Sequence, residues 1–205
     1  MEKVSFTPDF DWANNFCPQA VFMYGTNKTD GTPNFVTFTW FSYCWDSEMC
    51  IMASIGGGKL TIDRIRETKI FSANLVTEPL LPLADYLGHN AGYTSGKMDM
   101  PIEIERGVVL DVPVLKNSPW IYELEVSQSV PLKGNELFIC KIRNILVAKE
   151  LTDKTKSAEE RFKLTAPIIW IGEGPYFPVK PVALGNAGDW KDSFKKVGKE
   201  RMEND

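Results

Sequence analysis

Apolar residues in this chain recur in short runs, several alternating with a period of two and most closed by a turn cluster, as expected of strands joined by hairpins. Gln19 to Thr26 reads as the first strand, built on Ala20, Val21, Phe22, Met23 and Tyr24. The cluster Asn27 to Pro33 follows, and its Asp30-Gly31 pair is a strong hairpin signal. Asn34 to Tyr43 predicts a second strand, in which Phe35, Thr37, Thr39 and Phe41 alternate with Val36, Phe38, Trp40 and Ser42. Neither set is uniformly polar, so both faces of this strand should meet other groups. Glu48 to Ile55 gives a third strand, ending on Gly56-Gly57-Gly58.

Thr61 is positioned to cap a short helix over Ile62 to Thr68, with Ile62 and Ile65 on its inner side. Ile70 to Val76 returns as a strand. Glu78 to Leu87 predicts a second helix, with Pro79 and Pro82 in its first turn and Gly88 after its last. A polar loop spans His89 to Asp99. Two long strands, Trp120 to Pro131 and Glu136 to Lys149, flank the turn Leu132 to Asn135, and Pro167 to Ile171 is a last short strand. From Gly172 glycine, proline and charge dominate, which predicts a tail that wraps a neighbour or frays. Strands outnumber helices, and most are joined by hairpin-length turns. The expected fold is therefore mainly β with a few helices, an antiparallel barrel or sandwich capped at its ends. No repeat or linker divides the chain, so one domain over 1–205 is expected, with a C-terminal extension from about residue 172.

Composition narrows the function classes. Hydrophobic residues make up 43% and charged residues 24%, an ordinary globular mixture. The net charge is −4, and the only basic run, Lys191 to Arg201, carries acids too, so nucleic acid is not an expected partner. No stretch approaches the ~18 apolar residues of a membrane-spanning helix. The start, MEKVSFTPDFDW, is too polar for a secretory signal. A cytoplasmic protein with reduced thiols is the default expectation. Cys17, Cys44, Cys50 and Cys140 show no C-x-x-C spacing. Cys44 and Cys50 can approach across a turn, although nothing in the sequence requires a bridge, and each cysteine also suits the role of a small buried hydrophobe.

Most catalytic chemistries lack their residues. The single histidine, His89, lies in a loop without a nucleophile motif and reads as a surface residue. Zinc ligands at short spacing are missing. Glu103 and Glu105 share one face of a presumed strand, as solvated side chains do. Two features remain. Ser54-Ile55-Gly56-Gly57-Gly58-Lys59-Leu60-Thr61 is a glycine-rich turn opening a helix, where backbone N–H groups, a lysine and a hydroxyl suit a phosphate. It is not a P-loop, because Ala53 and Leu60 stand where that motif needs glycine and a hydroxyl residue. A turn that needs glycine only for steric reasons explains the pattern equally. Asn34 to Ser42 interleaves aromatics with hydroxyls, offering a planar ligand both stacking surface and hydrogen bonds. Core packing with threonine favoured in strands would give the same sequence. The two features together suggest a phosphorylated aromatic cofactor.

These residues resemble the flavin reductase-like family of FMN-binding split barrels, which includes flavoredoxins and the reductase components of two-component monooxygenases. The resemblance rests on Cys17-Pro18, Thr29 to Asn34, Thr37-Phe38-Thr39-Trp40-Phe41, Ser54, Thr61 to Ile65 and Phe71 to Leu75, in that order and spacing. Tyr93 to Asp99 is similar, less closely, to the family's Ser-Gly-x-x-x-Asp-Lys segment. The family pattern departs here at Asp46 to Met49, where many relatives have two prolines, and at the three glycines that leave Lys59 as the nearest cation. The resemblance implies a split β-barrel, noncovalent FMN, and a homodimer with the cofactor near the subunit interface. It implies that the isoalloxazine lies along Thr37, Phe38, Thr39, Trp40 and Phe41, beside Asn34. Ser54, Lys59 and Thr61 would take the phosphate or ribityl chain, with Asn74 nearby and Ser95 and Lys97 closing from the loop. NADH or NADPH would be the electron donor, in a flavin reductase or a flavoredoxin-like carrier. A flavin-binding module for storage or sensing is the alternative, and a relative using haem a more distant one.

Overall fold

The computed structural model describes residues 3, 17–172 and 175–183. Its strands are β1 (Gln19–Ala20), β2 (Phe22–Asn27), β3 (Pro33–Phe38), β4 (Phe41–Asp46), β5 (Glu48–Gly56), β6 (Ile70–Leu75), β7 (Ile104–Arg106), β8 (Pro113–Leu115), β9 (Trp120–Pro131), β10 (Asn135–Val147), β11 (Ile168–Trp170) and β12 (Tyr176–Pro178). The helices are α1 (Leu60–Thr68), α2 (Leu81–His89) and α3 (Ala158–Thr165). The main sheet has seven strands in the order β3-β2-β6-β9-β10-β5-β4, with every neighbour antiparallel. After β5 the chain crosses through α1 and re-enters beside β2, a Greek-key connection. A three-stranded sheet, β1-β11-β12, and the β7-β8 pair lie beside it.

The main sheet curls on itself. Phe41, on edge strand β4, stacks on Phe22 of β2 with ring centroids 4.2 Å apart, although four strands separate β4 from β2 in the sheet order. Tyr24, Ile51, Ile55, Phe71, Leu124 and Phe138 fill the enclosed interior. A second apolar cluster, including Val21, Met23, Phe35, Leu80 and Leu87, lies under α2 on the outside. Strand β2 sends Phe22 and Tyr24 inward and Met23 outward, so it is apolar on both faces because both are covered. The mainly β, antiparallel barrel expected from the sequence is the fold observed.

Several boundaries move. The expected strand Asn34 to Tyr43 is two strands, broken at Thr39 and Trp40, where the Phe41 N–H donates to the Thr39 carbonyl at 2.9 Å. Thr61 does not cap α1: the N-cap is Lys59, and Thr61 lies inside the helix, 1% exposed. Helix α2 runs past Gly88 to His89 and is preceded by a 3-10 turn at Glu78–Leu80. Helix α3 and the β7-β8 pair were not expected. Past Gly172 the described residues include β12, which pairs with β11, and the rest of the expected tail, 184–205, lies outside the described residues.

Candidate ligand-binding cleft

The break between β3 and β4 opens the principal cleft. A β-strand that stops at Phe38 and restarts at Phe41 leaves Thr39 and Trp40 with backbone outside the ladder, and the Trp40 carbonyl accepts from Ser54 N at 3.1 Å. The resulting cavity, about 690 Å³, is walled by Thr37, Phe38, Thr39 and Trp40 on one side. Ser54, Gly56 and Lys59 contribute from β5 and the turn after it, Asp85, Gly88 and His89 from α2, Asn135 from β10, and Trp170, Gly172 and Tyr176 from the C-terminal segment. This volume and its mixture of aromatic faces with a few polar groups suit a ligand of cofactor size.

A smaller cavity of about 230 Å³ continues past Lys59, between Gly57 to Thr61 and His89 to Tyr93. Gly58 adopts φ 73°, a left-handed conformation that a side chain would resist, and this turns the chain into α1. No side chain caps the start of α1, whose first residues Leu60 and Thr61 line this cavity, while the Ile62 N–H donates back to the Lys59 carbonyl at 3.0 Å. The opposite wall packs closely because residue 92 is glycine: a Cβ there would lie 2.7 Å from Leu60 Cβ and 3.0 Å from Asn34 Oδ1.

Positive charge gathers here. Lys97 is 2% exposed, and its ammonium donates to the Phe35 carbonyl at 2.7 Å. Burial, and then the charges of Lys59 and Lys28, pull it down from the usual lysine range to about 8. The countering acid, Asp63 in the first turn of α1, is occupied: Tyr93 donates its hydroxyl to Asp63 at 2.6 Å, and Arg66 lies at 3.4 Å. That hydrogen bond raises the Tyr93 phenol. At the mouth, His89 Nδ1 lies 2.9 Å from the Asp85 carbonyl and 3.5 Å from its carboxylate.

The residues singled out from the sequence fall into three groups. Thr37, Phe38, Thr39, Trp40, Ser54 and Lys59 line the principal cleft, and Lys59 and Thr61 line the smaller cavity. The Thr37 hydroxyl is committed to the Ala84 carbonyl at 2.5 Å and ties β3 to α2. Phe41 lies behind this wall, in the interior stack and beside a third cavity of about 210 Å³. Asn34 is fully buried, donates to the Thr61 hydroxyl at 3.0 Å, and keeps Oδ1 without a partner. The structure does not bring Asn74 or Ser95 to either cavity. Asn74 is buried with its amide donating to Met23 O and Ser72 Oγ and its oxygen accepting from Leu115 N, and Ser95 is exposed on its turn. Lys97 lines neither cavity, and its ammonium is held on the Phe35 carbonyl within electrostatic reach of Lys59.

Sequence reading missed Asp85, Gly88, His89, Asn135, Trp170, Gly172 and Tyr176. Only His89 carried any signal, as the lone histidine, and it had read as a surface residue. The others arrive from a helix end, a hairpin turn and a short strand that look purely structural until the fold closes. Among the described residues no group of three or more His, Cys, Asp or Glu forms a metal cluster, and no helix is long and apolar enough to cross a membrane.

Solved structures share this fold. A flavoredoxin from Methanosarcina acetivorans aligns over 95% of this chain and 100% of its own, with a TM-score of 0.79 at 20% identity. Nitrilotriacetate monooxygenase component B from Bacillus cereus aligns over 91% of this chain and 100% of its own, with a TM-score of 0.77 at 16% identity. An FMN-binding protein from Thermus thermophilus covers the same shares, 91% and 100%, with a TM-score of 0.73 at 18% identity. A search of curated protein sequences found no match. The model of the flavin reductase like domain matches residues 14–174, most of the chain, and the chain belongs to that family.

Proposed function

We propose that this protein binds FMN noncovalently in the principal cleft and passes reducing equivalents through it, as an NAD(P)H-dependent flavin reductase or a flavoredoxin-like carrier. One observation carries the reading: a cofactor-sized cleft with aromatic walls runs, past Lys59, into a small basic cavity at the start of a helix. The family supports it, as does the similarity to a protein described as FMN-binding. The groups present fit FMN. The backbone at Thr39 and Trp40 leaves the strand and lines the cleft where a flat ligand would sit. Lys59 and the first N–H groups of α1 receive a phosphate.

When bound, the flavin supplies the redox chemistry, accepting a hydride from a reduced pyridine nucleotide and releasing electrons to an acceptor. The protein's own contribution is orientation, charge and access. Trp40 and Trp170 would flank the ligand with apolar faces, Lys59 would hold its anionic end with the buried charge of Lys97 behind it, and His89 with Asp85 would frame the mouth. A second subunit beside the cleft and a cytoplasmic setting complete the proposal.

Purified protein should be yellow or take up added FMN stoichiometrically, and anaerobic NADH or NADPH should bleach the bound flavin. Failure to bind FMN would refute the reading. Binding without bleaching by either nucleotide would leave a flavin-binding module for storage or sensing. Light scattering on the purified protein tests the dimer.

A further inference from the structure

Strands β4 and β5 form a hairpin at the edge of the main sheet, turning at Ser47 with φ 58°. Its register sets Cys44 directly opposite Cys50. The two therefore project from the same face, away from the interior that Phe41, Ile51 and Ala53 enter from neighbouring positions. The Ser54 N–H to Trp40 carbonyl bond fixes the hydrogen-bonding alternation along the hairpin. Counting from that pair places Cys44 and Cys50 at a hydrogen-bonded position, where Cα atoms are about 5.5 Å apart in an antiparallel ladder. Disulfides span Cα separations of about 4.4–6.8 Å. Both thiols are free and differ in access: Cys44 is partly exposed and Cys50 is fully buried.

We propose that Cys44 and Cys50 form a reversible dithiol–disulfide site that hydrogen peroxide oxidises, with Cys44 attacking first and Cys50 resolving. The Cys44 thiolate attacks one peroxide oxygen, the O–O bond breaks, and the departing hydroxide takes up a proton to leave as water. Cys44 is then a sulfenic acid. The Cys50 thiolate attacks that sulfur, the S–O bond breaks, a second water leaves, and the S–S bond forms. The two sulfurs lose two electrons in total, and the peroxide oxygens gain them. Access sets the order, because only Cys44 meets solvent. Burial, followed for Cys44 by the charge of Asp46 and for Cys50 chiefly by Cys44 itself, raises both thiols above their ordinary range. The site is therefore slow at neutral pH and faster in alkali, as thiolate chemistry requires. Closing the bond ties the edge strand covalently to β5, and this hairpin supplies Phe41, Ser42, Met52 and Ser54 to the third cavity.

The test treats the full chain with stoichiometric hydrogen peroxide, alkylates the remaining thiols after denaturation, and maps peptides by mass spectrometry. The expected product has lost about 2 Da, carries a Cys44–Cys50 linked peptide, and reverts with dithiothreitol. Cys50→Ala should halt at a dimedone-reactive Cys44, while Cys44→Ala should leave Cys50 reduced at the same dose. A link through the exposed Cys17, overoxidation of Cys44 without a link, or no loss of mass in the wild-type chain would each overturn the proposal. Added peroxide makes the result independent of flavin binding.

Discussion

Phe41 stacks on Phe22 with ring centroids 4.2 Å apart and planes inclined by 30°, and this contact joins the edge strand β4 to β2 across the enclosed interior. It also positions Trp40, one residue earlier, at the wall of the cleft. Aromatic pairs of this kind contribute about 0.5–1.5 kcal/mol beyond the area they bury. A double-mutant cycle of Phe22→Leu and Phe41→Leu should show a coupling of that size in urea denaturation. A coupling near zero would mean that closure rests on the aliphatic interior alone.

Asn74 and Lys59 separate structure from ligand binding. All the polar atoms of the Asn74 amide group are engaged by buried partners, so Asn74→Ala orphans the Leu115 N–H, while the Met23 carbonyl keeps its place in the β2–β6 ladder. Denaturation should show a loss of about 1–3 kcal/mol, while the protein that remains folded binds FMN normally. Lys59→Ala should do the reverse, leaving the midpoint within about 0.5 kcal/mol and weakening FMN roughly tenfold or more through the lost charge-assisted contact. Unchanged affinity would move the phosphate elsewhere.

The contrast shows how far the sequence could be read. Strands β2, β5, β6, β9 and β10 were legible because each is a long apolar run closed by turn residues. The break at Thr39 and Trp40 was not, because both residues favour strands; the curl of the sheet, a tertiary effect, takes them out of the ladder. Asn74 entered as a ligand residue only through the family resemblance, and its amide instead bonds within the protein, to Met23, Ser72 and Leu115 of β8. Helix α3 carries a capping box at Ser157 and Glu160 that was readable in principle, but it buries no residue and shows no apolar stripe. In the cleft, the stretch 37–40 and Lys59 were legible as chemistry. Trp170 and Tyr176 were not, since only the folded chain brings them there.

Glu123 sets an acid limit on stability. Fully buried on β9, it accepts from the Val108, Val109 and Leu110 N–H groups and from the Asn144 amide, pinning the loop before β8. Burial alone would raise its carboxyl, but these four donors outweigh that and hold it below the ordinary range. A depressed carboxyl stabilises the fold above its unfolded value of about 4.3, and that contribution is lost as pH falls through the folded value. Glu136, held low by Ser129 and Arg66 against the same desolvation, adds in the same direction. Stability should therefore decline from about pH 5 downward. Glu123→Gln should be less stable by about 1–3 kcal/mol at pH 7 and show a shallower decline in acid. Parallel curves for the two proteins would show that Glu123 is not the group responsible.

Lys97 predicts the pH dependence of cofactor binding. Its buried ammonium is already weakened to about 8 by desolvation and by Lys59 and Lys28, so the free protein sheds that proton just above neutrality. A phosphate beside Lys59 restores the balance and draws the proton back. Binding above pH 8 must then take up a proton, and affinity for FMN should fall by a factor of about three to ten per pH unit between 8 and 9. A phosphate monoester is already dianionic there, its second proton leaving near pH 6, so the slope belongs to the protein. Calorimetry in buffers of different ionisation enthalpy should register uptake of up to one proton at pH 8.5 and little at pH 7. Lys97→Met should bind FMN more weakly at pH 7 and lose both the slope and the proton uptake. If that variant keeps the slope, another group carries the charge coupling, and Lys97 serves only to anchor the loop to Phe35.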